Sequence, residues 1–237
     1  MEIKKIAIFV EGKTELIFIE RLLLEIAGKN KIEIKKRTLQ GQNRCPSIEN
    51  FTDNYLKYKV RVYNSCNESK VLVDIIDNYA QLISENFIKI IGIRDIYRKD
   101  RDEYPRKDII QKRVINTLKR EKLHIVKMII VIREVETWFL AELNHYEKIH
   151  KDLTLEKINN ELINLKDIVN FEKDILHPAD TLNNIYQLVT NRHWTKSEKQ
   201  IKRTVQAIDY ENLYLNTKEK VPSLKELIDT LDEFFSE

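Results

Sequence analysis

Residues 6–15 read IAIFVEGKTE. An apolar run from Ile6 to Val10 ends abruptly at Glu11, Gly12 follows, and from Thr14 apolar residues recur at helical spacing through Leu16, Ile19, Leu22, Leu23 and Ile26. This pattern predicts a buried strand that hands one carboxylate to a tight turn at the start of a helix. Strand followed by helix is the repeating unit of α/β domains.

Outward from that stretch the unit recurs. Gly28 suits a helix stop. Residues 32–38 alternate apolar and basic residues like a half-exposed strand, and 39–47, with Gly41, Asn43, Arg44 and Pro46, reads as a loop. Residues 48–58 are ambiguous, with a short helix one option. Residues 59–63 alternate as a strand, and Leu72, Ile75, Ile76, Tyr79 and Ile83 mark a helix. Two further strands of the buried kind follow. Residues 87–93 end in Arg94-Asp95, and 125–132 end in Arg133-Glu134-Val135-Glu136. Between them lie a dense charge cluster, 97–107, and a helix with Ile109, Ile110, Val114, Ile115 and Leu118 on its apolar face.

Near-continuous apolar strands alternating with helices predict an α/β fold, a mainly parallel sheet flanked by helices, over residues 1–146. From Glu147 onward only helical patterns appear, near 153–165, 178–189, 195–208 and 223–235, so residues 147–237 form a helical extension. Pro178 suits a first helical turn, and Thr195…Glu198 and Ser223…Glu226 fit capping boxes.

The chain has 237 residues, 42% hydrophobic and 33% charged, with only 4 Gly and 4 Pro, which favours an ordered, helix-rich protein. No apolar window is long enough to span a membrane, and the first apolar run breaks at Glu11 with no signal-peptide cleavage pattern. Cys45 and Cys66 have no metal-ligand spacing and suit a reducing cytoplasm. The net charge of +3 is too small to diagnose a nucleic-acid partner by itself.

Three buried-type strands thus end in acids: Glu11, Asp95, and Glu134 with Glu136. In a parallel sheet such ends share the edge where open α/β sheets bind ligands. Carboxylates meeting there would repel unless a cation neutralised them, and an all-oxygen set suits Mg²⁺ or Mn²⁺. Such an ion activates water and polarises a phosphodiester while a carboxylate serves as general acid or base. Glu134 and Glu136 can share a site only if the helix starts after Glu136, because i and i+2 stand about 200° apart on a helix; otherwise Glu134 is favoured. Glu15 is either a ligand or a favourable charge at a helix start. Gly12-Lys13-Thr14 lacks the earlier glycine of a phosphate-binding P-loop, since residue 7 is Ala. His145 and His150, off the spacing of a zinc helix, read as surface residues.

The segments VEGKTE (10–15), RDIYRKDRDEYP (94–105) and REVETWFLAE (133–142), with the weaker IDYENLY and PSLKELI, resemble Toprim domains. They are most similar to an uncharacterised bacterial Toprim-like family often encoded beside ABC-type ATPases in phage-defence loci. The resemblance implies a Rossmann-like core and a Mg²⁺-dependent endonuclease acting on DNA or RNA, the effector of an antiviral defence system with an ATPase partner. By it Glu11 is the general acid/base and Asp95 the first metal-binding acid of the second motif. Toprim domains typically carry Asp-x-Asp there, whereas this chain has Asp95-Ile96-Tyr97. Glu134 or Glu136, or Asp100 or Asp102, would supply the missing ligand, or the site is weak. A non-catalytic scaffold docking on an ATPase and an RNA-maturation endonuclease are the alternatives.

Phosphate contacts are expected from two stretches. One is the loop bearing Arg98, Lys99, Arg101, Arg106 and Lys107. The other is a helix stripe of Lys196, Lys199 and Arg203, with Arg192 and Lys202 nearby and Trp194 available for stacking.

Overall fold

The computed structural model describes residues 3–28, 31–39, 47–48, 56–67, 70–97, 104–189 and 194–236. The chain divides into two compact units, residues 1–95 with 106–130, and residues 96–105 with 131–237. The boundary expected after residue 146 falls inside the second unit, because the helix following the last strand packs with the helices beyond it.

The first unit is built on the sheet. Its elements are β1 (Lys4–Val10), α1 (Lys13–Ala27), β2 (Ile32–Thr38), β3 (Ser47–Ile48), β4 (Tyr58–Asn64), α2 (Val71–Ser84), β5 (Lys89–Ile96), α3 (Lys107–Arg120) and β6 (Val126–Ile132). The order across the sheet is β3-β2-β4-β1-β5-β6. The five longer strands are parallel, and the two-residue β3 adds an antiparallel edge to β2. The α/β sheet flanked by helices is therefore as the sequence predicts.

β1 lies inside the sheet, between β4 and β5, and Ile6 through Val10 are fully buried. Residues paired across neighbouring strands share a face. Ile6 and Ile8 therefore share one with Val60 and Val62 of β4 and with Ile32 and Ile34 of β2. Lys36, on that same face of β2, reaches Glu20 of α1 at 2.7 Å, which shows that α1 covers it. Gly28 closes α1 at φ 78°, a left-handed conformation that glycine adopts without cost. The chain leaves β1 in one direction, to β2, and leaves β5 in the other, to β6. Right-handed crossovers then put α1 and α3 on opposite faces. β1 and β5 accordingly flank the topological switch point, where open parallel sheets leave a crevice beyond their C-terminal ends.

The second unit is helical, as the patterns after residue 147 predict. It holds α4 (Glu136–Ala141), α5 (His145–Ile149), α6 (Leu155–Glu161), α7 (Phe171–Asp174), α8 (Pro178–Gln187), α9 (Glu198–Ala207), α10 (Tyr210–Leu215) and α11 (Pro222–Ser236). α4 packs on α7 and α8, with Trp138, Phe139 and Leu140 fully buried. Thr154, Asn170 and Asp209 cap α6, α7 and α10 by accepting the N–H groups of Lys157, Lys173 and Asn212.

Several local expectations are corrected. α9 begins at Glu198, because Thr195 turns its N–H and hydroxyl to Gln200 Oε1, at 2.6 and 3.0 Å, and forms no capping box. α11 begins at Pro222, so Ser223 lies in its first turn and its N–H goes to Glu172 Oε1 at 2.9 Å. On α3 only Val114 is buried, while Ile109 and Ile115 are exposed. His145 is no surface residue. It is completely buried, with Nδ1 against the Glu142 carbonyl at 2.5 Å and Nε2 accepting the Tyr186 hydroxyl at 3.1 Å. Tyr186 in turn meets Thr204 Oγ1 at 2.9 Å. Most of the loop expected over 39–47, and most of 48–58, lies outside the described residues.

Candidate functional site

In the first unit β1 ends at Val10 and the next residue, Glu11, turns its carboxylate toward β5. Glu11 Oε1 accepts the backbone N–H of Asp95 at 2.6 Å. Two acids 84 residues apart in sequence are thereby joined at the switch point. A carboxylate accepting an N–H is a charge-assisted bond, and this one fixes which way Glu11 faces. Glu15 lies in the first turn of α1 and is buried. Its Oε2 packs against Gly12 so closely that a Cβ there would stand 3.2 Å away, so glycine at this position leaves room for the carboxylate. Glu11 and Asp95, expected at one sheet edge, are thus in contact through the Asp95 backbone.

In the second unit the chain makes a sharp turn after β6. Arg133 adopts φ 76°, bridges to Ile96, and donates from Nε to the Glu172 carbonyl at 3.3 Å. Glu134 is thus outside any helix, and α4 starts at Glu136 itself. Both carboxylates nonetheless share one cation, and it is a side chain. Lys196 Nζ lies 2.7 Å from Glu134 Oε1 and 3.1 Å from Glu136 Oε1. Burial pushes the Glu136 carboxyl upward in pKa, with the Lys196 charge opposing. Burial would lower the Lys196 ammonium, but Glu136 and Glu134 outweigh it and hold it above the ordinary lysine value. Lys196 itself sits at φ 52°, a conformation that costs a non-glycine residue energy. Beside this group the Tyr97 hydroxyl meets His177 Nδ1 at 3.0 Å, and burial, then Glu134 and Asp180, push the Tyr97 phenol upward.

Arg98, Lys99 and Arg101, the alternative ligands Asp100 and Asp102, and Arg192 lie outside the described residues. Arg106 ends a 3₁₀ turn and Lys107 opens α3, both half-buried. Lys196 precedes α9 instead of lying on it, so the expected stripe loses its first member. Lys199 is exposed, while Arg203 donates to the Ile149 carbonyl at 2.5 Å. Trp194 is buried, with its ring edge-on to Phe139 and Tyr186, so no base can stack on it in this arrangement.

Among the described residues no group of three or more His, Cys, Asp or Glu side chains is arranged to hold a metal ion. Glu11, Glu15 and Asp95, expected as ligands, therefore do not form such a group. Mg²⁺ keeps much of its water and is commonly bound by one or two carboxylates together with substrate phosphate. Glu11 and Asp95 carry the carboxylates at this edge that could hold such an ion.

Fold and strand-end acids define an open, parallel-sheet α/β protein with an acidic switch point. The chain belongs to the DUF4276 family, a domain of unknown function, whose family model matches residues 10–231. No curated protein and no solved structure matches it. Among the described residues no helix is long and apolar enough to cross a membrane.

Proposed function

We propose that the protein is a Mg²⁺-dependent phosphodiester hydrolase of the Toprim-like kind, acting on DNA or RNA. The observation that carries this reading is the Glu11–Asp95 contact at the switch point, where an open parallel sheet binds its ligand. Glu11 and Asp95 would hold the ion. Once bound, it supplies Lewis-acid polarisation of a phosphate oxygen and a water of lowered pKa. Glu11 is the residue that accepts or returns the proton, and its hydrogen bond to the Asp95 N–H orients its carboxylate. Glu15, buried beside Gly12, places a further carboxyl group near this edge. A role as effector of an antiviral defence system, with an ABC-type ATPase as partner, rests on the family resemblance of the sequence motifs.

A second reading, a non-catalytic subunit that docks on the ATPase, is favoured by one observation. Lys196 already neutralises Glu134 and Glu136, two of the carboxylates expected as ligands. Calorimetric titration with Mn²⁺ and Mg²⁺ separates the two. The hydrolase reading expects binding that Glu11→Gln and Asp95→Asn each abolish; a folded wild-type protein that binds neither ion supports the subunit.

A further inference from the structure

β4 is an interior strand, and interior strands of parallel sheets are normally apolar on both faces because helices cover both. One face of β2 and β4 follows that rule. Ile32, Ile34, Val60 and Val62 are buried on the side of α1. The odd-numbered residues point the other way, and they are Glu33, Lys35 and Arg37 on β2 with Lys59, Arg61 and the buried Tyr63 on β4.

The charges on this face are ordered. Arg61 donates to Glu85 Oε2 at 2.6 Å and to the Tyr63 hydroxyl at 3.2 Å, and its guanidinium lies 4.8 Å over the Phe87 ring. Lys5 donates to the Glu85 carbonyl at 2.7 Å. Glu33 stands 3.1 Å from Lys35 and 3.7 Å from Lys59. Glu33 lies deeper than its partners, its side chain 13% exposed against 47% for Lys35 and 42% for Lys59, whereas Glu85 at 31% stands further out than Arg61 at 14%. Arg37 is exposed. Five cations (Lys5, Lys35, Arg37, Lys59 and Arg61) against two acids (Glu33 and Glu85) leave this face net positive.

The row also has a direction. Residues i and i+2 on a strand stand about 7 Å apart, so Lys59 and Arg61, or Lys35 and Arg37, make a line along the strands. Arg37 is level with Tyr63, and Tyr63 with Phe9, two residues before Glu11. The line therefore runs toward the sheet edge at which Glu11 and Asp95 meet.

We propose that this face is a track for the phosphate backbone of a nucleic acid, with Lys35, Arg37 and Lys59 as the phosphate contacts. Its placement as the substrate's approach to Glu11 rests on the hydrolase reading; the binding itself does not. Backbone contacts of this kind give affinity that falls steeply with salt as counterions are released.

Fluorescence anisotropy with a labelled single-stranded oligonucleotide and its duplex, between about 50 and 200 mM salt, tests it. Wild type is expected to bind at least one form. The K35E/R37E/K59E variant should lose about tenfold or more in affinity and about three units of salt slope, one for each phosphate contact. K119E/R120E, exposed residues of α3, should leave both unchanged. If the triple variant fails to fold by circular dichroism, K35Q and K59Q measured singly should each remove about one unit of slope. The track is overturned if wild type binds no nucleic acid, if it binds only anionic vesicles, or if the variants bind as wild type does. The two readings fail separately. Binding that depends on the track without any metal-dependent cleavage sinks the hydrolase alone, and cleavage indifferent to the charge reversals sinks the track alone.

Discussion

The Glu11 carboxylate accepts the backbone N–H of Asp95 at 2.6 Å, tying the end of β1 to the end of β5. A single contact thus does two jobs: it closes the sheet edge and it aims an acid. Substitutions can separate them. Glu11→Gln keeps an acceptor oxygen and should leave thermal stability within about 0.5 kcal/mol, while abolishing Mn²⁺ binding and any Mg²⁺-dependent cleavage. Glu11→Ala also loses the hydrogen bond and should cost about 1–2 kcal/mol in urea unfolding. Cleavage retained in either variant would remove Glu11 from the chemistry.

Lys196 answers a buried carboxylate, since Glu136 is 1% exposed. Lys196→Met should destabilise the protein by about 1–3 kcal/mol, less than for a fully buried pair because the lysine is itself partly exposed. The loss has a pH signature. Glu136 has a raised pKa, so its folded form favours the proton, and without Lys196 stability should fall as pH rises through that pKa and recover in acid. Unfolding curves across pH read this directly. Glu136→Gln in the same background should flatten the profile, and an unchanged profile would refute the pairing.

His145 is held neutral, because burial lowers its pKa to about 4. The unfolded chain binds a proton near the ordinary value of about 6.5, so stability should decline as pH falls from about 6.5 toward 4, by about 3 kcal/mol in all. Glu142 and Tyr186 pack on the same ring, and their carboxyl and phenol are pushed upward by burial, so the informative quantity is a difference. His145→Asn should cost stability at pH 7 yet lose that component of the acid slope. Parallel profiles for the two proteins would contradict a neutral, buried imidazole.

Trp138 is fully buried and donates from Nε1 to Ser223 Oγ at 2.9 Å, linking α4 to α11. Trp138→Phe keeps an aromatic ring but drops the donor and part of the volume. It should cost about 1–3 kcal/mol in equilibrium unfolding. Ser223→Ala should cost less, because it leaves one indole N–H to find a partner and opens almost no space.

Much of the fold is legible in the sequence because its signals are local. The run Ile6–Val10 and the helical spacing after Thr14 report β1 and α1 directly, and the apolar stretches ending at Asp95 and at Arg133 report β5 and β6. Boundaries drift where a side chain outside the pattern intervenes, as when Gln200 takes the Thr195 groups that would have capped α9. Apolar periodicity overstates burial on α3, where Ile109 and Ile115 fit the helical stripe yet remain exposed. On β2 and β4 the alternation of Lys and Arg with Ile and Val is visible. That the two basic sets share one face follows only from the register of the pair.

The sequence by itself determined the five longer strands, though not the two-residue β3, and that Glu11, Asp95 and Glu134 stand at or just past strand ends, since strand and helix periods depend on neighbours a few residues away. Tertiary structure decided what those acids meet. Strand order made β1 and β5 adjacent and brought Glu11 onto Asp95, 84 residues on. A coil 62 residues beyond Glu134 delivered Lys196 to it, and helices far along the chain enclosed His145. Such pairings are set by chain topology and by the need to neutralise or hydrogen-bond every buried polar group, and no local period encodes them.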